Sequence, residues 1–388
     1  MDITISPRKL SGSIKAIPSK SQAHRLLICA AFSDAETTLI CPETNRDIEA
    51  TAACLNALGA GITRTKNGYH VSPVHAIPDC AVLNCCESGS TLRFMLPIAG
   101  ALGVDTVFFM DGRLPERPLS PLWEEMESMG CKLSRPSKNT IRCAGKLLAG
   151  PYSIDGSISS QFITGLLFAL SLIDGVCSLE ITGKIESKPY IDMTKAAMEL
   201  FHAPRYHTPG LVEVEGDWSN GAFFLGAKAL GNPVNVTNLN SRSSQGDRAA
   251  AQLLQELESP VSINAADIPD LIPILSVVAA FKKGAAFTNI RRLRLKESDR
   301  VQAVIEMIGS LGGHAEASES TLTVYGTGLT GGTVNSCNDH RIAMAAAIAA
   351  TGCTQPVTIL SAEAVNKSYP TFWDEYRKLG GNYEQYLR

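Results

Sequence analysis

Pro18, Ser19, Lys20, Ser21, Gln22, Ala23, His24 and Arg25 stand immediately before the apolar run Leu26–Ala31. A serine-rich turn that opens a helix offers unpaired backbone N–H groups and the positive end of the helix dipole, and here Lys20 and Arg25 add full positive charge. The chemistry this suits is the holding of an anion. Taken alone, the same residues also describe an ordinary N-cap, Ser19 or Ser21, flanked by two solvated cations. Recurrence decides between the two readings. Six times a turn bearing Ser, Gly, Asn or Asp leads into a helix of small apolar residues. The turns are Pro18–Ser21 before Leu26–Ala31, Glu87–Ser90 before Leu92–Ala101, Ser157–Gln161 before Phe162–Leu172, Gly216–Ser219 before Ala222–Leu230, Asp267–Asp270 before Leu271–Phe281, and Cys337–His340 before Ile342–Ala350.

A repeat spaced by about 50 to 70 residues is a whole supersecondary unit rather than a single element. Its second half is visible where helical patterns end in Gly or a small residue and run into short alternating strands: Leu58–Gly61 to Val71, Met129–Lys132 to Cys143, Phe201–Ala203 to Val214, and Leu311–His314 to Val324. Gly suits the left-handed end of a helix, and Lys66–Tyr69 reads as a hairpin turn. The pattern predicts six βαβαββ-like units, with the fourth and fifth shorter or degraded. Ala-rich helices that are apolar on most faces belong inside. The Val/Ile-rich buried strands of a parallel doubly wound sheet are scarce. The expectation is α/β, two domains of three units each, with buried helices and outer sheets.

Composition narrows the function. With 388 residues, 45% hydrophobic and 19% charged, the chain can bury two or three cores. A formal net charge of −3 and the lack of a clustered Lys/Arg block beyond Arg291–Lys296 argue against nucleic-acid binding. Met1–Ser6 lacks the pattern of a signal peptide, and runs such as Ile342–Ile348 are too short to span a membrane, so a cytoplasmic location is expected. Eleven cysteines, an odd count without a CxxC, read as reduced and mostly buried thiols. Neither His70/His75 nor His202/His207 has metal-ligand spacing with a Cys or carboxylate partner, so no metal is expected.

Two carboxylates stand near cations. Asp270 follows Pro269 at a helix start, where it is a candidate base or a plain cap; Glu297 lies three residues before Arg300, where it is a candidate acid or an ordinary ion-pair partner.

Nine stretches then match one family in order: Pro18–Ser21 through Arg25, Gly89–Arg93, Pro115–Pro118, Ser159–Phe162, Ser187–Asp192, Ile268–Asp270, Leu295–Arg300, Asn338–Arg341, and Lys367. Across its whole length the sequence resembles the enolpyruvyl transferases, and among them the EPSP synthase family. The resemblance implies a two-domain inside-out α/β barrel. One domain would comprise residues 1–15 with 217–388, closed by the N-terminal strand, and the other residues 16–216, with the active site in the cleft between them. It implies transfer of the enolpyruvyl group of phosphoenolpyruvate to the 5-hydroxyl of shikimate 3-phosphate by addition and elimination through a tetrahedral intermediate. No cofactor and no metal are implied, and a monomer is expected.

The same resemblance implies that Lys20, Ser21, Arg25, Ser159, Ser160, Gln161, Ser187, Tyr190, Asp270 and Lys296 hold shikimate 3-phosphate. Lys20, Gly89, Arg117, Gln161, Arg300, Arg341 and Lys367 would hold phosphoenolpyruvate. Seven of these are cations, as two phosphates and two carboxylates demand. Asp270 is then the base for the hydroxyl and Glu297 the group that moves the carbon proton, with Lys20 sharing either role and His340 orienting neighbours or relaying protons. Glu87 and Phe94 depart from residues common in the family, and Arg292 stands where a phosphate-binding amide is often found. The sister enzyme acting on UDP-N-acetylglucosamine typically carries a loop cysteine and Lys-Asn; Asp111–Arg117 has no cysteine, and Ser21 follows Lys20. An inactive anion-binding homologue would keep the cations but lose the carboxylates.

Overall fold

All six turns lead into helices, and the small apolar residues that follow them are buried. The structure, a computed structural model, describes residues 1–386. The chain forms two compact units, one of Pro18–Val214 and one of Met1–Ile17 together with the chain from Glu215 onward.

The chain opens with β1 (Asp2–Ile5) and β2 (Gly12–Lys15), which belong to the second of these units. The Pro18–Val214 unit runs α1 (Lys20–Ala31), β3 (Thr37–Ile40), α2 (Arg46–Ala57), β4 (Gly61–Thr65), β5 (Gly68–Ser72), β6 (Cys80–Asn84), α3 (Gly89–Leu102) and β7 (Asp105–Phe109). It continues with α4 (Leu122–Ser128), β8 (Cys131–Ser137), β9 (Thr140–Gly145), β10 (Pro151–Asp155), α5 (Ser160–Leu170), β11 (Ser178–Thr182), α6 (Lys188–Leu200) and β12 (Leu211–Glu213). Its sheets have the orders β12-β3-β5-β4, β6-β7-β9-β8 and β10-β11.

The other unit resumes with α7 (Trp218–Ala229), β13 (Val234–Thr237), α8 (Ala250–Glu256), β14 (Val261–Asn264), α9 (Ile272–Phe281), β15 (Ala285–Thr288) and α10 (Arg300–Ser310). Then follow β16 (Ala315–Ala317), β17 (Thr321–Val324), β18 (Gly332–Asn335), α11 (His340–Ala350), β19 (Val357–Leu360), α12 (Phe372–Lys378) and β20 (Tyr383–Tyr386). Its sheets have the orders β13-β2, β14-β15-β17-β16 and β18-β19-β1-β20. β1 lies antiparallel to both β19 and β20, with Ile3 opposite Ile359.

The repeat is regular in the four-stranded sheets: a parallel pair across a buried helix, then two antiparallel strands, a hairpin as in β8–β9 beside β6–β7 or, in the last sheet, β1 and β20. Two expectations need correction. The fifth copy is complete, since β14, β15, β16 and β17 form a full four-stranded sheet. The third copy lacks its hairpin, as does the shorter fourth, whose sheet is β13-β2 alone: after Phe201 only Leu211–Glu213 is extended, and it pairs parallel with β3 in the first sheet. Pro204 and Pro209 explain this, because proline has no N–H to give to a ladder.

The helices that follow the six turns lie inside because most of their residues are small and apolar. All of α11 is buried, with alanines that let it press against α9. Strands such as β1 and β17 bury alternate residues and turn the others outward. In the Pro18–Val214 unit α3 and α5 approach closely at Gly165, where a Cβ would sit 2.2 Å from the Arg93 carbonyl oxygen and 2.8 Å from Pro97. Because the obstacle is backbone, it cannot rotate away. Gly165→Ala should therefore cost about 2 kcal/mol, read as a lower denaturation midpoint for this variant than for wild type.

Candidate active site

In the Pro18–Val214 unit the N-termini of α1, α3 and α5 carry the predicted residues. Ser19 caps α1, accepting from the Gln22 N–H, and Lys20 is the first helical residue, its Nζ 2.9 Å from Asp47 Oδ2 on α2. Arg25, one turn further on, is turned inward and only 2% exposed. Its Nε donates to Thr194 Oγ1 at 2.9 Å, Nη1 to the Ser21 carbonyl at 2.6 Å and Nη2 to the Tyr190 carbonyl at 3.0 Å. Burial lowers its guanidinium to about 10. Arg25 thus ties α1 to the start of α6, where Ser187 sits in left-handed backbone at φ 55°.

Gly89 opens α3 behind the Ser88 cap, and a Cβ there would lie 2.7 Å from Arg117 Nη1, so the guanidinium rests against this glycine. Gln161, near the N-terminus of α5 behind the Ser159 cap and Ser160, donates from Nε2 to Ser90 Oγ at 2.9 Å. Its Oε1 accepts from Arg93 Nη1 at 2.6 Å, and Arg93 Nη2 donates to the Pro118 carbonyl at 3.1 Å beside Arg117. Gly89, Arg117 and Gln161 are therefore brought together. Arg93 is the residue that sequence reasoning passed over as a site member; its signal was a lone cation inside an apolar helix, a buried position that demands partners. Phe94, one of the departures, leaves α3 unbroken and lies under the Arg25 guanidinium at 5.3 Å. Glu87 lies against Gly112, where a Cβ would be 2.5 Å from its Oε2.

In the other unit the charges converge on Asp270. The N-cap of α9 is Leu271, so Asp270 is not a cap, and its carboxylate is taken by cations. Oδ1 accepts from Arg300 Nη1 at 2.8 Å and lies 3.4 Å from Lys296 Nζ, while Oδ2 accepts from Arg341 Nη2 at 2.9 Å. Arg300 is fully buried and shared among three carboxylates, since Nη2 also donates to Glu297 at 2.6 Å and Nε to Asp339 Oδ2 at 3.0 Å. Asp339 caps α11 through the Arg341 N–H and accepts from Ser298 Oγ. His340 is the buried first residue of that helix, and Lys367 Nζ donates to the Asn338 carbonyl at 2.8 Å.

Burial alone would raise the Asp270 carboxyl, but Arg341, Lys296 and Arg300 outweigh it and hold it well below the usual carboxylate range. Burial pulls Lys296 down to about 8 against the opposing pull of Asp270. A further carboxylate had no signal in the sequence: Asp247, in the turn Gly246–Ala249, is 3% exposed. Burial and then the charge of Asp270 push it up to about 7. Among the described residues no group of three or more His, Cys, Asp or Glu could hold a metal ion.

The EPSP synthase (3-phosphoshikimate 1-carboxyvinyltransferase) family model matches residues 5–376. The chain belongs to this family. Curated relatives named 3-phosphoshikimate 1-carboxyvinyltransferase include one from Clostridium kluyveri, 35% identical with 99% of this chain and 98% of that protein covered. Another, from Clostridium perfringens, is 37% identical with 98% of both covered. Among solved structures, EPSP synthase from Acinetobacter baumannii superposes with a TM-score of 0.79 at 21% identity, covering 99% of this chain and all of that one. The enolpyruvyl transferase fold expected from the sequence is thus the fold observed.

Removing the charge of Asp270 leaves Arg300, Arg341 and Lys296 short of a counter-ion. Asp270→Asn should therefore destabilise the protein by about 3 kcal/mol at neutral pH. The folded carboxyl lies below its unfolded value, so this stabilisation is complete above about pH 4 and fades as pH falls toward the folded value. Chemical denaturation at a series of pH values should show the difference between wild type and variant shrinking on the acid side only.

Proposed function

We propose a division of labour for the reaction of the EPSP synthase family, in which phosphoenolpyruvate gives its enolpyruvyl group to the 5-hydroxyl of shikimate 3-phosphate and phosphate leaves. Lys20, Gly89, Arg117, Gln161, Arg300, Arg341 and Lys367 hold phosphoenolpyruvate. Lys20, Ser21, Arg25, Ser159, Ser160, Gln161, Ser187, Tyr190, Asp270 and Lys296 hold shikimate 3-phosphate; Arg25 acts through the Ser21 and Tyr190 carbonyls it grips. Arg292, whose charge is felt by Lys296, supplies a phosphate contact.

The observation that carries the reading is the ion cluster around Asp270. A carboxylate held by three cations is a poor base. Anionic substrates compete for the same cations, and as Lys296, Arg300 and Arg341 turn toward phosphate and carboxylate, Asp270 regains basicity where the 5-hydroxyl must lose its proton. Glu297, released as Arg300 turns away and protonated from solvent, then gives its proton to the methylene carbon as the oxygen adds to its neighbour, and takes that proton back as phosphate departs with the proton that Asp270 removed from the hydroxyl. Lys20 assists either transfer, and His340 orients its neighbours at the start of α11. The chain works as a monomer in the cytoplasm.

Phosphate release from phosphoenolpyruvate tests the reading. It should require shikimate 3-phosphate and be absent with UDP-N-acetylglucosamine, and Glu297→Gln should lower kcat by at least about 100-fold while retaining substrate affinity. Turnover with the nucleotide sugar, or near-normal kcat in the variant, overturns it.

A further inference from the structure

We propose that His24 is a positioning residue, the root of a buried chain through Thr51 and Thr91 that fixes the anion-facing N-terminus of α3 relative to Lys20. His24 Nδ1 lies 2.7 Å from Thr51 Oγ1, which lies 2.7 Å from Thr91 Oγ1, and Thr91 donates to Ser88 Oγ at 2.8 Å. All four side chains are buried, and they come from α1, α2, α3 and the cap of α3.

The chain has a direction. Thr91 has one hydroxyl proton and gives it to Ser88, so Thr51 gives its proton to Thr91 and His24 gives Nδ1–H to Thr51. Nδ1 therefore carries a proton, and the state of the ring is decided at Nε2. Protonation of Nε2 is opposed on geometric grounds, because that nitrogen is buried without a polar partner and the ring packs edge-on to Phe94. Burial, then the charges of Lys20 and Arg25, lower the ring well below its ordinary value, in agreement with the geometry.

The far end explains what the chain is for. Ser88 Oγ receives two donors, the Thr91 hydroxyl and the Thr91 N–H at 3.2 Å, which lock the cap and so the amides of Gly89 and Ser90. Thr91 Oγ1 also lies 3.4 Å from the carbonyl of Asp47, whose carboxylate holds Lys20. Lys20 and the start of α3 are thus referenced to the same three side chains. Stability alone would be served as well by aliphatic residues of the same shape, which bring no polar group to bury.

This inference rests on the reading that Lys20 and Gly89 hold phosphoenolpyruvate. The test uses the full chain and measures both KM values, kcat and Tm for five variants. Thr51→Val and His24→Leu break the chain and should raise the KM for phosphoenolpyruvate about tenfold while leaving that for shikimate 3-phosphate within about twofold. Thr51→Ser keeps the hydroxyl, and His24→Asn keeps an N–H at the same number of bonds from the backbone, so both should stay within about threefold of wild type. If His24→Leu does not fold, Thr51→Val decides. A silent Thr51→Val, a rise in both KM values together, a loss of Tm without a change in KM, or His24→Asn as impaired as His24→Leu each overturns the proposal. If Lys20→Met leaves the phosphoenolpyruvate KM unchanged, the underlying reading fails instead.

Discussion

Buried Arg300 is the constraint on which the candidate site depends. A guanidinium that is fully inaccessible is tolerated only when its hydrogens are met by good acceptors, and here Asp270, Glu297 and Asp339 meet them. Each of those carboxylates has a second duty: Asp339 caps α11, Asp270 holds Arg341 and Lys296, and Glu297 begins the approach to α10. The cluster therefore joins the starts of α9, α10 and α11. It also stores negative charge inside the protein, beside the buried cations. The cations that seem excessive in the sequence are, in the folded chain, nearly neutralised by acids.

The Pro18–Val214 unit solves the same problem with fewer acids. Asp47 is the counter-ion of Lys20, but Arg93 and Arg25 are satisfied chiefly by carbonyls, hydroxyls and the Gln161 amide. Neutral acceptors quench a cation's hydrogen bonds without cancelling its charge, so this unit keeps a positive field at its helix starts. The caps Ser19, Ser88 and Ser159 satisfy local N–H groups and add no competing negative charge.

Much of this was legible in the order of residue types. The six helix starts, the hairpin at Lys66–Asn67 and the burial of Ala-rich helices follow from local rules, because caps, turn residues and apolar content act over a few positions. The strand pairing was less so. That Leu211–Glu213 would join the first sheet, and that Asp2–Ile5 would lie between β19 and β20, depends on partners hundreds of residues away. A short alternating strand carries no label for its neighbour.

The sequence by itself determined which residue types meet anions, the family, and the repeat that places them at helix starts. Only the tertiary structure decided how each group is used. Arg25, expected to hold shikimate 3-phosphate, turns inward to grip backbone carbonyls; Asp270, a candidate base or a plain cap, becomes the acceptor for three cations; Arg93 and Asp247 join these clusters although neither was expected there. The physical reason is that charge and hydrogen-bond capacity belong to the residue, whereas burial and the nearest partner belong to the fold. Burial and partner together set whether a charged group binds, supports or titrates.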